Sequence, residues 1–377
     1  MRSVCMKKLT TFFCLSSLIS GLALTAVAEQ SFVLSSSGDG ITVFEADGES
    51  GKLTEIQTVP DRGLMAITKD QRRVYAIGTG IIATYNVEED GKLRMVGKAE
   101  IEGSGGYADL DATERYFATN NYGQGTATVW KIGVDGIVIS EPTAHVTLEQ
   151  KAHSSVFAPG NNYLLVPATG PNKVFQLKFD VETGKIIPSD PPSAPAPMDE
   201  GEAQQPRHLV FHPNGKIAYT TLERELPGVG VWEWDAQSGS LKVVQNIVTY
   251  PEGFDGVITT ADLHLTPDAK FLYVSNRDIT DRRAVVGNSS IVGFKVLESG
   301  HLEMIGHTLC EQVPRSFAVD RAGKFLYVAG QTAAKLGVYA INEETGELTK
   351  VEQLNTGDGP NWDSVYHSGV NSGRFSV

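Results

Sequence analysis

One short apolar strand recurs seven times along the 377-residue chain, and this repetition limits the fold more than any other feature. The copies read Phe32-Val33-Leu34, Val74-Tyr75-Ala76, Tyr116-Phe117-Ala118, Leu164-Leu165-Val166, Ala218-Tyr219-Thr220, Leu272-Tyr273-Val274 and Leu326-Tyr327-Val328. Their middle residues fall at 33, 75, 117, 165, 219, 273 and 327, and the last three steps are 54 residues each. Downstream of each copy stands a turn glycine, at Gly51, Gly91, Gly136, Gly184, Gly239, Gly300 and Gly346. Each unit therefore holds at least two hairpins, or about four strands. Period-2 stretches such as Ile41 to Phe44 and Val338 to Ile341 suit half-buried strands, and no window shows a 3.6 period.

Seven four-stranded units that bury little alone and share a core in a ring describe an all-β, seven-bladed β-propeller. An open solenoid and a pair of β-sandwiches are the alternatives. The chain ends favour closure, because the first unit begins at its second strand and Pro360 to Tyr366 reads as a missing first strand. The C-terminus is thus expected to supply the innermost strand of the N-terminal blade. Two segments interrupt the spacing. Pro188 to Pro206, with Pro191-Pro192 and the acids Asp199, Glu200 and Glu202, is expected to be an extended surface loop. Thr280 to Asn288 is a polar insertion carrying Arg282 and Arg283, either a lid or a passive loop.

Residues 1–28 read as a cleaved leader: Arg2, Lys7 and Lys8 precede an apolar stretch to Val27, and Ala26-Val27-Ala28 gives small residues at the cleavage site. The mature domain would span 29–377 and be exported, to the periplasm or outside the cell, with no membrane anchor left. Cleavage removes Cys5 and Cys14, so Cys310 stands alone and no internal disulfide is possible. It also removes three bases and no acid, taking the formal charge from −13 to −16. Such an acidic chain with no basic run argues against nucleic acid as a partner. No partner protein is indicated either, and an anionic substrate would need a local cluster of arginines working against the overall field.

No HExxH, CxxC or Gly-x-Ser-x-Gly motif occurs, and Trp234-Asp235 is a single instance. Gly103-Ser104-Gly105-Gly106-Tyr107-Ala108 matches a loose dinucleotide pattern with no helix after it, so it reads as a turn. The repeat register is more informative. The start of each first strand and the end of each second strand lie on one rim of the ring. Twelve residues before the marker stand Gly63, Gly105, His153, Arg207, Ala261 and Arg315, and four after it stand Ser37, Thr79, Asn121, Thr169, Glu223, Arg277 and Gln331. Titratable side chains occupy these positions only in units four to seven. His153, Arg207, Glu223 and Arg277 are expected to converge at the channel mouth, with Arg315 and Gln331 farther round. His208 and His264, inside first strands, and His212, in a His-Pro-Asn-Gly turn, read as structural.

The stretch Pro206-Arg207-His208-Leu209-Val210-Phe211-His212-Pro213-Asn214-Gly215, with Ala261 to Asp268, Leu272 to Arg277 and Pro314-Arg315-Ser316-Phe317, resembles the bacterial lactonase family. That family of seven-bladed propellers is typified by cycloisomerase-type 6-phosphogluconolactonase and carboxy-muconate lactonizing enzyme. The resemblance implies catalytic roles for His153, Arg207, Glu223 and Arg277, and substrate binding by Arg207, Arg277 and Arg315. Gln204-Gln205 replaces the glycine usual before Pro-Arg-His, and Leu222 to Gly228 carries an additional Arg224-Glu225. The implied activity is hydrolysis of a small anionic sugar-acid lactone. Lactonizing cycloisomerisation and a non-catalytic binding propeller are the alternatives. His153 or Glu223 would activate water, one of Arg207 and Arg277 would stabilise the oxyanion, and the other would hold the substrate anion. No cofactor or metal is needed for this step. Were Ca²⁺ or Zn²⁺ used, Glu223 and Asp262 would be the carboxylates to hold it.

Overall fold

A computed structural model describes residues 30–368 apart from 105, 106, 200, 282, 285, 358 and 361. The expected leader lies outside the described residues, as do Gly105, Glu200 and Arg282. Among the described residues every regular element is a strand, and seven four-stranded antiparallel sheets form the blades of a propeller. The first strands of blades 2 to 7 are Leu64–Ile67, Asp109–Leu110, Val156–Phe157, Pro206–Phe211, Ile258–Leu265 and Pro314–Val319. In blade 1 the inner strand is Trp362–Ser368, which pairs antiparallel with Gln30–Ser37 from Ser36↔Trp362 to Gln30↔Ser368. The strand supplied by the C-terminus therefore closes the ring.

Seven apolar clusters hold the blades together, one at each interface, including that between blades 7 and 1, where Val33 and Phe44 meet Tyr327 and Val338. The marker residues are the centre of this packing. Val33, Phe117, Leu165, Tyr219 and Tyr273 are wholly buried, each fully buried large apolar side chain being worth ~1.5–3 kcal/mol. The marker tyrosines also reach the next blade: Tyr75, Tyr219 and Tyr273 donate from Oη to the carbonyls of Gly136, Gly300 and Gly346 at 2.8–2.9 Å. Those turn glycines have two reasons to be glycine. Gly346 adopts φ +74°, and a Cβ there would lie 2.5 Å from the Phe271 ring. Gly51 does the same across the closing interface, φ +72° and 2.5 Å from Phe325.

One expectation is corrected. Most of Pro188 to Pro206 is not a loop: Lys185–Pro195 is the outermost strand of blade 4, and beyond it Met198–Asp199 pairs with Glu202–Ala203. Proline is tolerated there because an outer-edge strand needs ladder donors on one side only. The polar insertion after Asp278 is tied at its base, since the Asp278 carboxylate accepts from the backbone N–H of Thr280 at 3.0 Å and of Asn288 at 2.9 Å.

Candidate active site

The inner strands of blades 4 to 7 each carry one extra residue relative to the strand they pair with. In blade 5, Pro206 pairs with Leu222 and Leu209 with Thr220, so three steps oppose two. In blade 6, Thr260 pairs with Asn276 and Leu263 with Val274. In blade 7, Pro314 pairs with Gly330 and Ser316 with Ala329. In blade 4, Ala152 bridges Ala168 and Val156 pairs with Leu165. Such a bulge breaks the alternation of a strand and re-aims consecutive side chains. It falls on His153, on Arg207-His208, on Ala261-Asp262 and on Arg315.

The structure brings Arg207, Glu223 and Arg277 into one buried cluster, 1%, 7% and 7% exposed. Arg277 donates from NH2 to Glu223 Oε1 at 2.6 Å and to the Thr260 carbonyl at 2.9 Å. Arg207 Nε lies 3.8 Å from the same carboxylate oxygen, while its NH1 donates to the Ala261 carbonyl at 2.6 Å. Nε of each guanidinium is buried with no hydrogen-bond partner. Burial pushes the Glu223 carboxyl up, but Arg207 and Arg277 more than reverse this and leave it below the ordinary carboxylate value. Glu223 is therefore held ionised between two cations.

Arg315, partly buried, joins the cluster through charge: it lowers the proton affinity of Arg207, Arg277 and His153. Arg224, part of the additional pair, adds to the positive field at Glu223. Positive charge exceeds negative, so the mouth favours an anion although the whole chain is acidic. Gln331 sits at the end of the blade 7 hairpin, its N–H on the Val313 carbonyl at 3.0 Å.

His153 faces this cluster from blade 4. Its ring stands edge-on to Tyr122 at 5.4 Å and to His208 at 5.2 Å, and Nδ1 is buried without a partner. Burial, followed by the charge of Arg207, holds its proton affinity well below the usual imidazole value. It is a neutral imidazole at pH 7, able to accept a proton.

Reading by rim position alone leaves out the layer beneath. His208 Nε2 lies 3.0 Å from Arg207 NH1, and Nδ1 lies 2.8 Å from Asp262 Oδ1. Asp262 also meets His264 Nε2 at 3.3 Å and Ser316 Oγ at 2.9 Å. His208, Asp262 and Ser316 stand at successive 54-residue intervals, the register position next to that of Arg207, Ala261 and Arg315. That periodicity is the sequence signal that would have found them. Placing His208 in a first strand is correct, but its side chain is in direct contact with the site. His212 is a turn residue, accepting from Asn214 N–H at 3.1 Å.

A cation does not suit the two carboxylates named for it. Glu223 faces two guanidiniums, and both oxygens of Asp262 already take donors. Among the described residues no group of three or more His, Cys, Asp or Glu is arranged to hold a metal ion.

The family described as "Lactonase, 7-bladed beta-propeller" matches residues 27–363. A 6-phosphogluconolactonase of Yersinia pestis (strain Pestoides F) is 32% identical over 343 residues, 89% of this chain and 97% of that protein. Another, from Serratia proteamaculans (strain 568), is 32% identical over 327 residues, 84% of this chain and 93% of that protein. A solved Pseudomonas aeruginosa structure named a periplasmic gluconolactonase has the same fold: TM-score 0.81, 24% identity, covering 91% of this chain and all of that one.

Proposed function

Because the chain belongs to the seven-bladed β-propeller lactonase family, we propose that it hydrolyses the ring ester of a small anionic sugar-acid lactone at the mouth of its channel. The observation that carries this is the buried Arg207–Glu223–Arg277 cluster beside neutral His153. Burying three ions costs several kcal/mol each, and apolar side chains would pack there at less cost, so binding rather than stability is the role assigned to the cluster.

His153 takes a proton from water as the water oxygen attacks the ring carbonyl. Arg207, the cation that acts most strongly on His153, stabilises the oxyanion. Arg277 and Arg315 hold the anionic substituent, with Glu223 fixing Arg277. The tetrahedral adduct collapses with loss of the ring oxygen, which takes the proton back from His153 and leaves as an alcohol. Lactones are reactive esters, so general-base help of ~10²–10⁴-fold plus one charged donor is sufficient without a covalent intermediate.

The first 28 residues are proposed to be a leader and 29–377 the exported domain. No helix among the described residues is long and apolar enough to cross a membrane. Export places the enzyme away from the main pool of phosphorylated sugars, so a sugar lactone whose anion is a free carboxylate is the favoured substrate. The test is proton release on a panel including a glucarolactone, which keeps one free carboxylate, neutral glucono-δ-lactone, its 6-phosphate and a muconolactone. Turnover of the carboxylated sugar lactone, faster than that of neutral glucono-δ-lactone and falling about 10²-fold in His153→Ala, is expected. Rates equal to the buffer across the panel would refute hydrolysis, and N-terminal sequencing that does not begin at Glu29 would refute the leader.

A further inference from the structure

The two NH1 protons of Arg207 are both committed to protein, one to the Ala261 carbonyl at 2.6 Å and one toward His208 Nε2 at 3.0 Å. Guanidinium only donates, so Nε2 must present its lone pair. On the other side of the ring, Nδ1 faces Oδ1 of Asp262 at 2.8 Å, and an ionised carboxylate only accepts. Both neighbours therefore demand the same tautomer, with the proton on Nδ1. An imidazolium is disfavoured, since its Nε2–H would oppose a guanidinium N–H. Asp262 is in turn held by Ser316 Oγ at 2.9 Å and by the Leu263 backbone N–H at 3.1 Å. His208 and Asp262 are 3% and 1% exposed, so water does not compete for these contacts.

We propose that Asp262 and His208 are positioning residues which, through an imidazole locked as the Nδ1–H tautomer, hold Arg207 with NH1 turned to the protein. The Nε edge, 3.8 Å from Glu223 Oε1 and without a hydrogen bond, is left turned to the Glu223 side of the site, where substrate would bind. Arg207 Nε, paired by charge with Glu223 at 3.8 Å but making no hydrogen bond, is the donor this arrangement keeps in reserve. Burial, reinforced by Arg207, pushes the His208 imidazole down to about 4, which keeps it neutral as the device requires. Its kinetic consequence rests on the lactone-hydrolysis reading, whereas the tautomer does not.

Two measurements test it. Nitrogen NMR of histidine-labelled wild-type protein, without substrate, is expected to show His208 with Nε2 unprotonated. A protonated Nε2 overturns the proposal, whether or not any lactone is turned over. If no lactone is turned over, the hydrolase reading falls and this spectrum alone decides the positioning claim. The second is a double-mutant cycle. A misplaced binding group costs about 10²-fold, so His208→Ala and Asp262→Asn are each expected to lower kcat/KM to about that degree. In an Arg207→Ala background the same changes are expected to cost less than about threefold, because they act through Arg207. Equal losses in both backgrounds would mark a merely structural role and overturn the proposal. Should His208→Ala fail to fold, Asp262→Asn and the wild-type spectrum still decide.

Discussion

Arg277 meets Glu223 at 2.6 Å across 54 residues of sequence, one full repeat of the chain. The same interval separates His208 from Asp262 and Asp262 from Ser316. The site is thus built by stacking equivalent positions of adjacent blades, and each blade contributes a different residue to a register that the fold repeats. The propeller gives the geometry, while substitution at two neighbouring inner-strand positions and at one position at the end of the second strand supplies the chemistry.

Glu223→Gln is expected to be more damaging than loss of a surface carboxylate. It leaves Arg207 and Arg277 buried without their shared counter-charge, a loss of roughly 3–5 kcal/mol for a broken buried pair. Urea unfolding at pH 7 measures it. The folded carboxyl lies below its ordinary value of 4.5, so its stabilisation is present above that pH and lost as pH falls through the folded value. The gap between wild type and variant should therefore close in acid. A gap that widened below pH 4 would contradict the ion-pair assignment.

The pH–rate profile reports on His153. Burial and the Arg207 charge lower its proton affinity, so the base form persists below the ordinary value of 6.5. After correction for spontaneous hydrolysis, kcat/KM is expected to stay flat from pH 8 to below 6.5 before falling on the acid side. An acid limb centred above 6.5 would remove His153 from the role of base.

Ring, blade number and closing strand were legible because the buried marker residues recur in register and because the first unit lacks its first strand. The convergence of Arg207, Glu223 and Arg277 followed from counting along that register. His208 was not legible as a site residue, and Asp262 only as a carboxylate for a metal ion, for a definite reason. A regular strand sends neighbours to opposite faces, so choosing the Arg207 position excludes the next one. The one-residue bulge between Pro206 and Leu209 removes that exclusion, and no side-chain pattern announces a bulge. The missing glycine before Pro-Arg-His has a related origin. Gln205 occupies φ +62°, a left-handed conformation that glycine adopts freely, and is held there by its N–H on Asn172 Oδ1 at 2.8 Å.

Removing the C-terminal strand tests closure. Truncation after Gly359 takes away Trp362–Ser368 and leaves Gln30–Ser37 as an unpaired inner edge. The seven clusters form a circuit, so opening it at blade 1 also weakens the packing of Phe32 and Val33 on both sides. Aggregation or a loss of cooperative melting is expected. A truncated protein with unchanged melting temperature and solubility would show that the strand is not needed for closure.

The turn glycines allow backbone and packing costs to be separated. Gly346→Ala places a methyl 2.5 Å from the Phe271 ring at φ +74°, whereas Gly253→Ala, at φ +72°, meets nothing within 4 Å. Both variants pay the left-handed penalty of about 1–2 kcal/mol for a residue with a Cβ. Only Gly346→Ala adds overpacking, about 1–3 kcal/mol, and the methyl also presses on the blade contact that Tyr273 Oη makes with the Gly346 carbonyl at 2.8 Å. Calorimetry of the two variants is expected to rank Gly346→Ala as less stable by at least about 1 kcal/mol. Equal losses would mean that the recurring glycine serves turn geometry alone and that the blades can part to admit a side chain.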